Sequence, residues 1–312
     1  MDLSRAKTEP MVAMIEFHNR FNRNTKVSFG ALESISSAPV VGHQSRVIEL
    51  PTGSEPWGRV TRWKNLRAPL KEAASFISEL GISRSHSAFE DYLIGATAEF
   101  DRARLIVSRQ HEDGASPFQR MSAWLGIART NLTELEVMAE FFQVARNCVV
   151  HRSNRASPKL VELYNSPEIA RVIGAWSKRV GRWTVSLPDI KLNHSIEWQP
   201  RHAIMSSDVF YRCAALIDQH LISKLGSSGV VDMAVHWTFF SEVHAACPAV
   251  LNPETMVRTQ LVRRYGVRDV VLREPIDLLR TSGRWELVRA AYSQMFPDGP
   301  PLARLQRKRR AR

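Results

Sequence analysis

Cysteine is scarce in this 312-residue chain. Cys148, Cys213 and Cys247 are odd in number, far apart and flanked by apolar residues, which excludes a disulfide framework and reads as buried reduced thiols. No CxxC pair is present to suggest zinc. No run approaches the roughly 20 uninterrupted apolar residues a membrane span needs. The opening MDLSRAKTEP mixes charges and has no apolar core, so no signal peptide is expected and the reading is of a soluble, cytoplasmic protein. Internal repeats are missing too, which excludes a solenoid. Acid is in the minority: 31 Asp and Glu stand against 43 Lys and Arg, for a net charge of +12. That surface attracts polyanions, of which nucleic acid is the commonest inside cells. Half of the excess belongs to the last nine residues, RLQRKRRAR, with six positive charges and no acid.

What is present is ordinary globular material, 44% hydrophobic and 24% charged, with helical periodicity over most of its length. The fold class expected is mostly α. SHSAFEDYLIGATAEFDRARLIVSRQ reads as one long helix opening at a Ser87/Glu90 capping box, with Phe89, Leu93, Ala96, Phe100, Ala103 and Val107 on one face. TELEVMAEFFQVARNCVVH reads as a second, with Leu135, Met138, Phe142, Ala145 and Val149 as its stripe. Shorter helices are expected at PFQRMSAWLGIA and SPEIARVIGAWSKRV, an extended stretch at WTVSLPDIKLN, and a long helix over 206–225 closed by Gly226. The first 80 residues are less regular. A short amphipathic piece, MVAMIEFHNRF, precedes runs such as KVSFGALESI and SRVIELPTGSEPWG that admit two or three strands.

The chemistry concentrates in RNCVVH, residues 146–151, which runs on into the basic loop RSNRASP. Arg146 is permanently charged and offers a fork of donors that matches phosphate oxygens, while His151 titrates near neutrality and can move a proton. Asn147 adds a neutral donor and acceptor to orient either. RNA carries its own nucleophile in the 2′-hydroxyl, so its cleavage needs proton transfer and charge stabilisation and no metal or cofactor. On a helix, positions four apart lie about 40° apart and positions five apart about 140°. Asn147 and His151 therefore share a face, and Arg146 joins them only if the helix ends near His151 or its side chain curls round. An Arg followed by a His after four to six residues is a weak signal alone, since Arg104 and His111 in RLIVSRQH also satisfy it. The context differs: acidic Glu112 and Asp113 follow His111, whereas Arg152, Asn154 and Arg155 follow His151 as candidate RNA contacts. The plain alternative is a helix C-terminus with cationic side chains opposing the macrodipole.

RNCVVH at the end of a long apolar helix resembles the R-(N/D/H)-x-x-x-H motif of HEPN (higher eukaryotes and prokaryotes nucleotide-binding) domains, a family of ribonucleases and RNA-binding modules from toxins, phage defence and CRISPR effectors. FEDYLIGATAEFDRARL resembles the opening helix of such domains and SSDVFYRCAALIDQHLISKL a closing one, so the likeness covers roughly residues 85–226. It implies an antiparallel helical bundle in which Arg146 and His151 are the catalytic pair and Asn147 the accessory polar residue. It further implies RNA as substrate, a homodimer through this domain, and an antitoxin or defence-system partner. The organisation expected is then an N-terminal segment over 1–84, a HEPN-like domain over 85–226, a helical extension over 227–303 and a basic tail over 304–312. The function expected is a metal-independent endoribonuclease, a toxin or effector of bacterial defence. The alternatives are a noncatalytic RNA-binding or assembly module, or a regulatory subunit of a partner enzyme.

Weaker candidates surround this motif. Glu90 and Asp91 would support the cationic cluster if the two long helices pack together, although a cap already accounts for Glu90. His236 and His244 lie eight apart with no third ligand, so a metal site is not expected. Trp176 and Trp183, close to Lys178, Arg179 and Arg182, are more ordinary as core residues than as platforms for bases.

Overall fold

The computed structural model describes residues 1–37, 67–102, 116–128, 132–179, 186–240, 252–271, 273–297 and 299. Among them the protein is mostly helical: α1 Glu9–Ser37, α2 Arg67–Arg102, α3 Pro117–Leu125, α4 Thr133–His151, α5 Pro158–Tyr164, α6 Pro167–Arg179, α7 Pro200–Val235, a π-helical turn His236–Phe240, α8 Pro253–Arg263, α9 Arg273–Thr281 and α10 Trp285–Met295. No strand occurs among the described residues. β-Type pairing is confined to two isolated bridges, Asp2 with Arg268 and Arg155 with Ser195. None of the helices is long and apolar enough to cross a membrane.

Two expectations are corrected here. KVSFGALESI is not a strand but the second half of α1. Met14, Phe17, Phe21, Thr25 and Ser28 recur every three or four residues at buried or half-buried positions, and that spacing outweighs the local β-branched and glycine cues. The long helix expected to open at Ser87 instead starts at Arg67, because the Lys/Glu/Ala/Leu-rich run before it is itself helix-forming. Ser87 and Glu90 are thus mid-helix residues and form no capping box. SRVIELPTGSEPWG, His111, Trp183, His244 and the basic tail lie outside the described residues. The helix expected over 206–225 starts earlier, at Pro200, and breaks at Gly226, whose φ 59° and ψ −173° are essentially reserved for glycine, before helix resumes to Val235.

Two compact units emerge, each gathered from separated stretches: Met1–Ile15 with Phe89–Leu132 and Arg212–Arg312, and Glu16–Ala88 with Thr133–Tyr211. The core of the first holds Phe89, Tyr92, Phe118, Ile217, Leu261 and Tyr265. It also encloses charge. Asp218 is 3% exposed and accepts the Thr8 hydroxyl and, at 3.3 Å on each oxygen, the Thr8 N–H. Glu99, also buried, accepts from the Tyr265 hydroxyl at 2.9 Å and the Trp237 indole at 3.3 Å. Arg264 lies 3.8 Å over the Trp237 ring and pairs with Glu9 at 2.6 Å.

Burial raises the Asp218 carboxyl from 3.8 to about 6, a tendency that the Thr8 donors and Lys7 resist and Glu99 reinforces. The folded unit therefore holds this proton more tightly than the unfolded chain. Its contribution to stability is complete below pH 3.8, declines as pH rises, and is gone above about 6. Asp218→Asn keeps an acceptor for Thr8 and removes the titration. The stability difference between wild type and this variant is expected to shift by about 3 kcal/mol between pH 3.5 and 7, always in the variant's favour as pH rises. Urea titrations at both pH values measure it, and an unchanged difference rules out Asp218 as the titrating group.

In the second unit the core is aromatic and aliphatic: Ile82, Met138, Phe141, Phe142, Leu160, Trp176, Ile196 and Phe210. Helix α4 packs against α5 and α6, and it buries Leu135, Met138, Ala139, Phe141, Phe142, Val144, Ala145 and Cys148. Trp176 is 2% exposed, so it is a core residue and offers no face to a base.

Candidate functional site at the end of helix α4

Helix α4 stays helical through His151 and stops there. Ser153 and Asn154 then take left-handed φ values of 50° and 63°, which reverse the chain. The Cys148 carbonyl, orphaned at the helix end, accepts from the Arg152 N–H at 3.1 Å and the Asn154 N–H at 3.0 Å. Ser157 caps α5 by accepting the Leu160 N–H at 3.2 Å, with Pro158 as the first helical residue. The loop between the two helices is short and fully specified.

The helical register decides what is displayed. Ala145 and Cys148 face the core, and Asn147 and His151 are exposed on the opposite side. Arg146 is half-buried on the flank, and its Nη1 donates to the Asn147 Oδ1 at 3.1 Å. That bond ties the guanidinium to Asn147, the neighbour that helical spacing sets on the same face as His151. The Arg146 Nε is buried and has no hydrogen-bond partner among the described residues, so part of this cation is desolvated without compensation.

The exit loop is held by a distant segment. Asn193 N–H donates to the Ala156 carbonyl, Ala156 N–H to the His194 carbonyl and Ile196 N–H to the Asn154 carbonyl, at 3.0, 3.0 and 3.1 Å. Arg152 Nη2 reaches Asn193 Oδ1 at 3.2 Å. Arg152 and Arg155 are both exposed, and Arg155 has no acidic partner among the described residues.

Asn154 departs from expectation. It is 6% exposed and its amide is engaged on every side: Nδ2 donates to Glu79 Oε1 and to the Ile196 carbonyl, both at 2.8 Å, and Oδ1 accepts the Trp198 indole N–H at 2.8 Å. The side chain that looked like a surface contact for RNA instead fixes the loop from beneath. Glu79, partly buried, has its carboxyl pushed up by desolvation, against a donor from Ser75. Glu90 and Asp91 sit on α2 within the first compact unit, whereas Arg146, Asn147 and His151 belong to the second.

The sequence drew no attention to Glu79, Trp198 or the 193–196 segment. A lone glutamate on a helix and a tryptophan among eight carry no local signal, and only the fold brings them to Asn154. His202 was passed over too. Buried near Trp198, its Nδ1 accepts the Gln199 N–H at 3.0 Å and its Nε2 faces the Ser186 carbonyl at 3.1 Å. Burial, helped by the charge of Arg201, lowers it to about 4, so it is neutral at physiological pH and structural. His194 and His151 are the exposed imidazoles of this region. No group of three or more His, Cys, Asp or Glu residues suited to a metal occurs among the described residues. No protein-family model, curated protein or solved structure matches the chain.

Proposed function

We propose that the chain is a metal-independent endoribonuclease of HEPN type, a toxin or effector of bacterial defence whose site is Arg146, Asn147 and His151. The observation that carries this reading is the Arg146–Asn147 hydrogen bond at the end of α4, which sets a guanidinium beside the face bearing an exposed imidazole. In this reading His151 takes the proton from the 2′-hydroxyl or returns one to the departing 5′-oxygen. The 2′-oxygen attacks the adjacent phosphorus, the P–O5′ bond breaks, and Arg146 stabilises the charge that builds on the non-bridging oxygens. The products are a 2′,3′-cyclic phosphate and a 5′-hydroxyl. Arg152 and Arg155 add phosphate contacts that position the strand without reading its sequence. Asn154 holds their loop and touches no RNA. A homodimer facing two such motifs across one cleft, and an antitoxin or defence partner that silences it, complete the proposal.

Purified protein incubated with total RNA in EDTA tests the reading. Cleavage with the stated ends, reduced at least 100-fold in His151→Ala, is expected. Equal cleavage by the variant removes His151 from the chemistry. Salt-sensitive binding with no turnover by the wild type assigns the cluster to a noncatalytic RNA-binding module instead.

A further inference from the structure

Away from the α4 motif, within the same compact unit, α1 and α2 enclose a groove of about 270 Å³ lined by Phe17, Arg20, Phe21, Asn24, Thr25, Ser28, Ile77, Leu80, Gly81 and Arg84. Its existence depends on Gly81. A Cβ there would stand 2.9 Å from Ala203 Cβ and 3.1 Å from the Phe21 ring, so a larger residue would displace the wall. Phe17 and Phe21 stack on one another, with centroids 5.5 Å apart and planes inclined by 22°, and give the groove an aromatic side.

The polar half of the lining has one sign of charge. Arg20 and Arg84 are exposed and have no acidic partner among the described residues, and no Asp or Glu lines the groove. Thr25, a residue 6% exposed, lines the groove as well. An aromatic side, two guanidiniums with no acidic partner among the described residues and no lining carboxylate give the groove one chemistry, that suited to an anion carried on a flat ring.

We propose that this groove binds a nucleoside phosphate, with the base against the Phe17–Phe21 side and the phosphate between Arg20 and Arg84. Guanidinium forks match phosphate oxygens, aromatic rings accept any base through its π face, and Thr25, Asn24 and Ser28 offer hydrogen bonds to base or sugar edges. The volume lies near the lower end of the ~300–1,000 Å³ typical of ligand pockets, which suits one nucleotide and no larger ligand. The same chemistry is presented by a free mononucleotide and by one residue of a single RNA strand. Nothing in the assignment depends on the roles given to Arg146 and His151.

The test measures binding of AMP, of UMP and of an eight-nucleotide oligouridylate to the full chain in the His151→Ala background, so that the oligonucleotide stays intact. Arg20→Glu/Arg84→Glu is expected to weaken binding at least 10-fold and Thr25→Val about 3-fold, with unchanged circular dichroism. Arg258→Glu/Arg263→Glu, two exposed cations on α8, makes the same change in net charge and leaves binding intact. Loss of mononucleotide binding in the groove variant identifies a free nucleotide as ligand, and loss confined to the oligonucleotide identifies the RNA strand. If none of the three probes binds, or if the α8 variant loses as much as the groove variant, the groove is not a nucleotide site. RNA cleavage that fails while binding persists would leave this assignment standing and remove only the catalytic one.

Discussion

Asn154→Ala is expected to destabilise the protein by about 4 kcal/mol. Two buried groups lose their bonds at once, the Ile196 carbonyl and the Trp198 indole, and the partly buried Glu79 carboxylate loses one of its donors and keeps Ser75. Leaving a buried group unsatisfied costs about 1–3 kcal/mol each, and alanine at φ 63° adds strain that asparagine tolerates. Because many domains are stable by only about 5–15 kcal/mol, the melting temperature should fall by about 10 °C. Asn154→Asp sharpens the diagnosis. It loses both Nδ2 donors and sets a carboxylate against Glu79, so its deficit should shrink as pH falls and the two carboxyls share a proton. Thermal melts at pH 4.5 and 7.5 compare the two variants. A loss below 1 kcal/mol in Asn154→Ala means the network does not hold the loop.

On the proposed ribonuclease reading, Arg146→Ala is expected to lower the single-turnover cleavage rate by about 10²–10³-fold, the range found when one donor to a developing oxyanion is removed. The less obvious expectation concerns lysine. Arg146→Lys retains the charge but not the planar fork that serves Asn147 and a phosphate together, so it should recover under a tenth of the lost rate while RNA affinity stays within about 3-fold of wild type. A purely electrostatic role for Arg146 predicts the reverse, with near-complete rescue by lysine. Measuring the rate at saturating RNA separately from affinity distinguishes the two.

The helices nearest the motif were legible because their signals are local. The apolar stripe of α4, the Gly226 break in α7 and the two short helices α3 and α6 follow from periodicity and punctuation within each segment. Helix α1 was not, because KVSFGALESI carries strand-like residues whose helical fate is decided by the burial of Phe17, Phe21 and Thr25. The start of α2 was missed for a related reason: Ser87 and Glu90 have the chemistry of a cap, and nothing within four residues reveals that helix already precedes them. At the candidate site, Arg146, Asn147 and His151 come from one hexapeptide, whereas the bond from Arg146 to Asn147 is visible only in the structure. Asn154 could not be placed, since an asparagine in a basic loop looks the same whether it points to solvent or downward. Its partners lie 75 and 44 residues away, beyond the reach of any local rule.

That separation orders events in time. Helix α4 is local structure that forms quickly on its own scale, but the turn beyond it waits on chain closures of 75 and 44 residues, and the entropy of those closures must be met before their contacts contribute. During synthesis the hexapeptide leaves the ribosome well before Trp198 does. A nascent chain therefore carries Arg146, Asn147 and His151 before the segment that seats the loop of Arg152 and Arg155 has emerged.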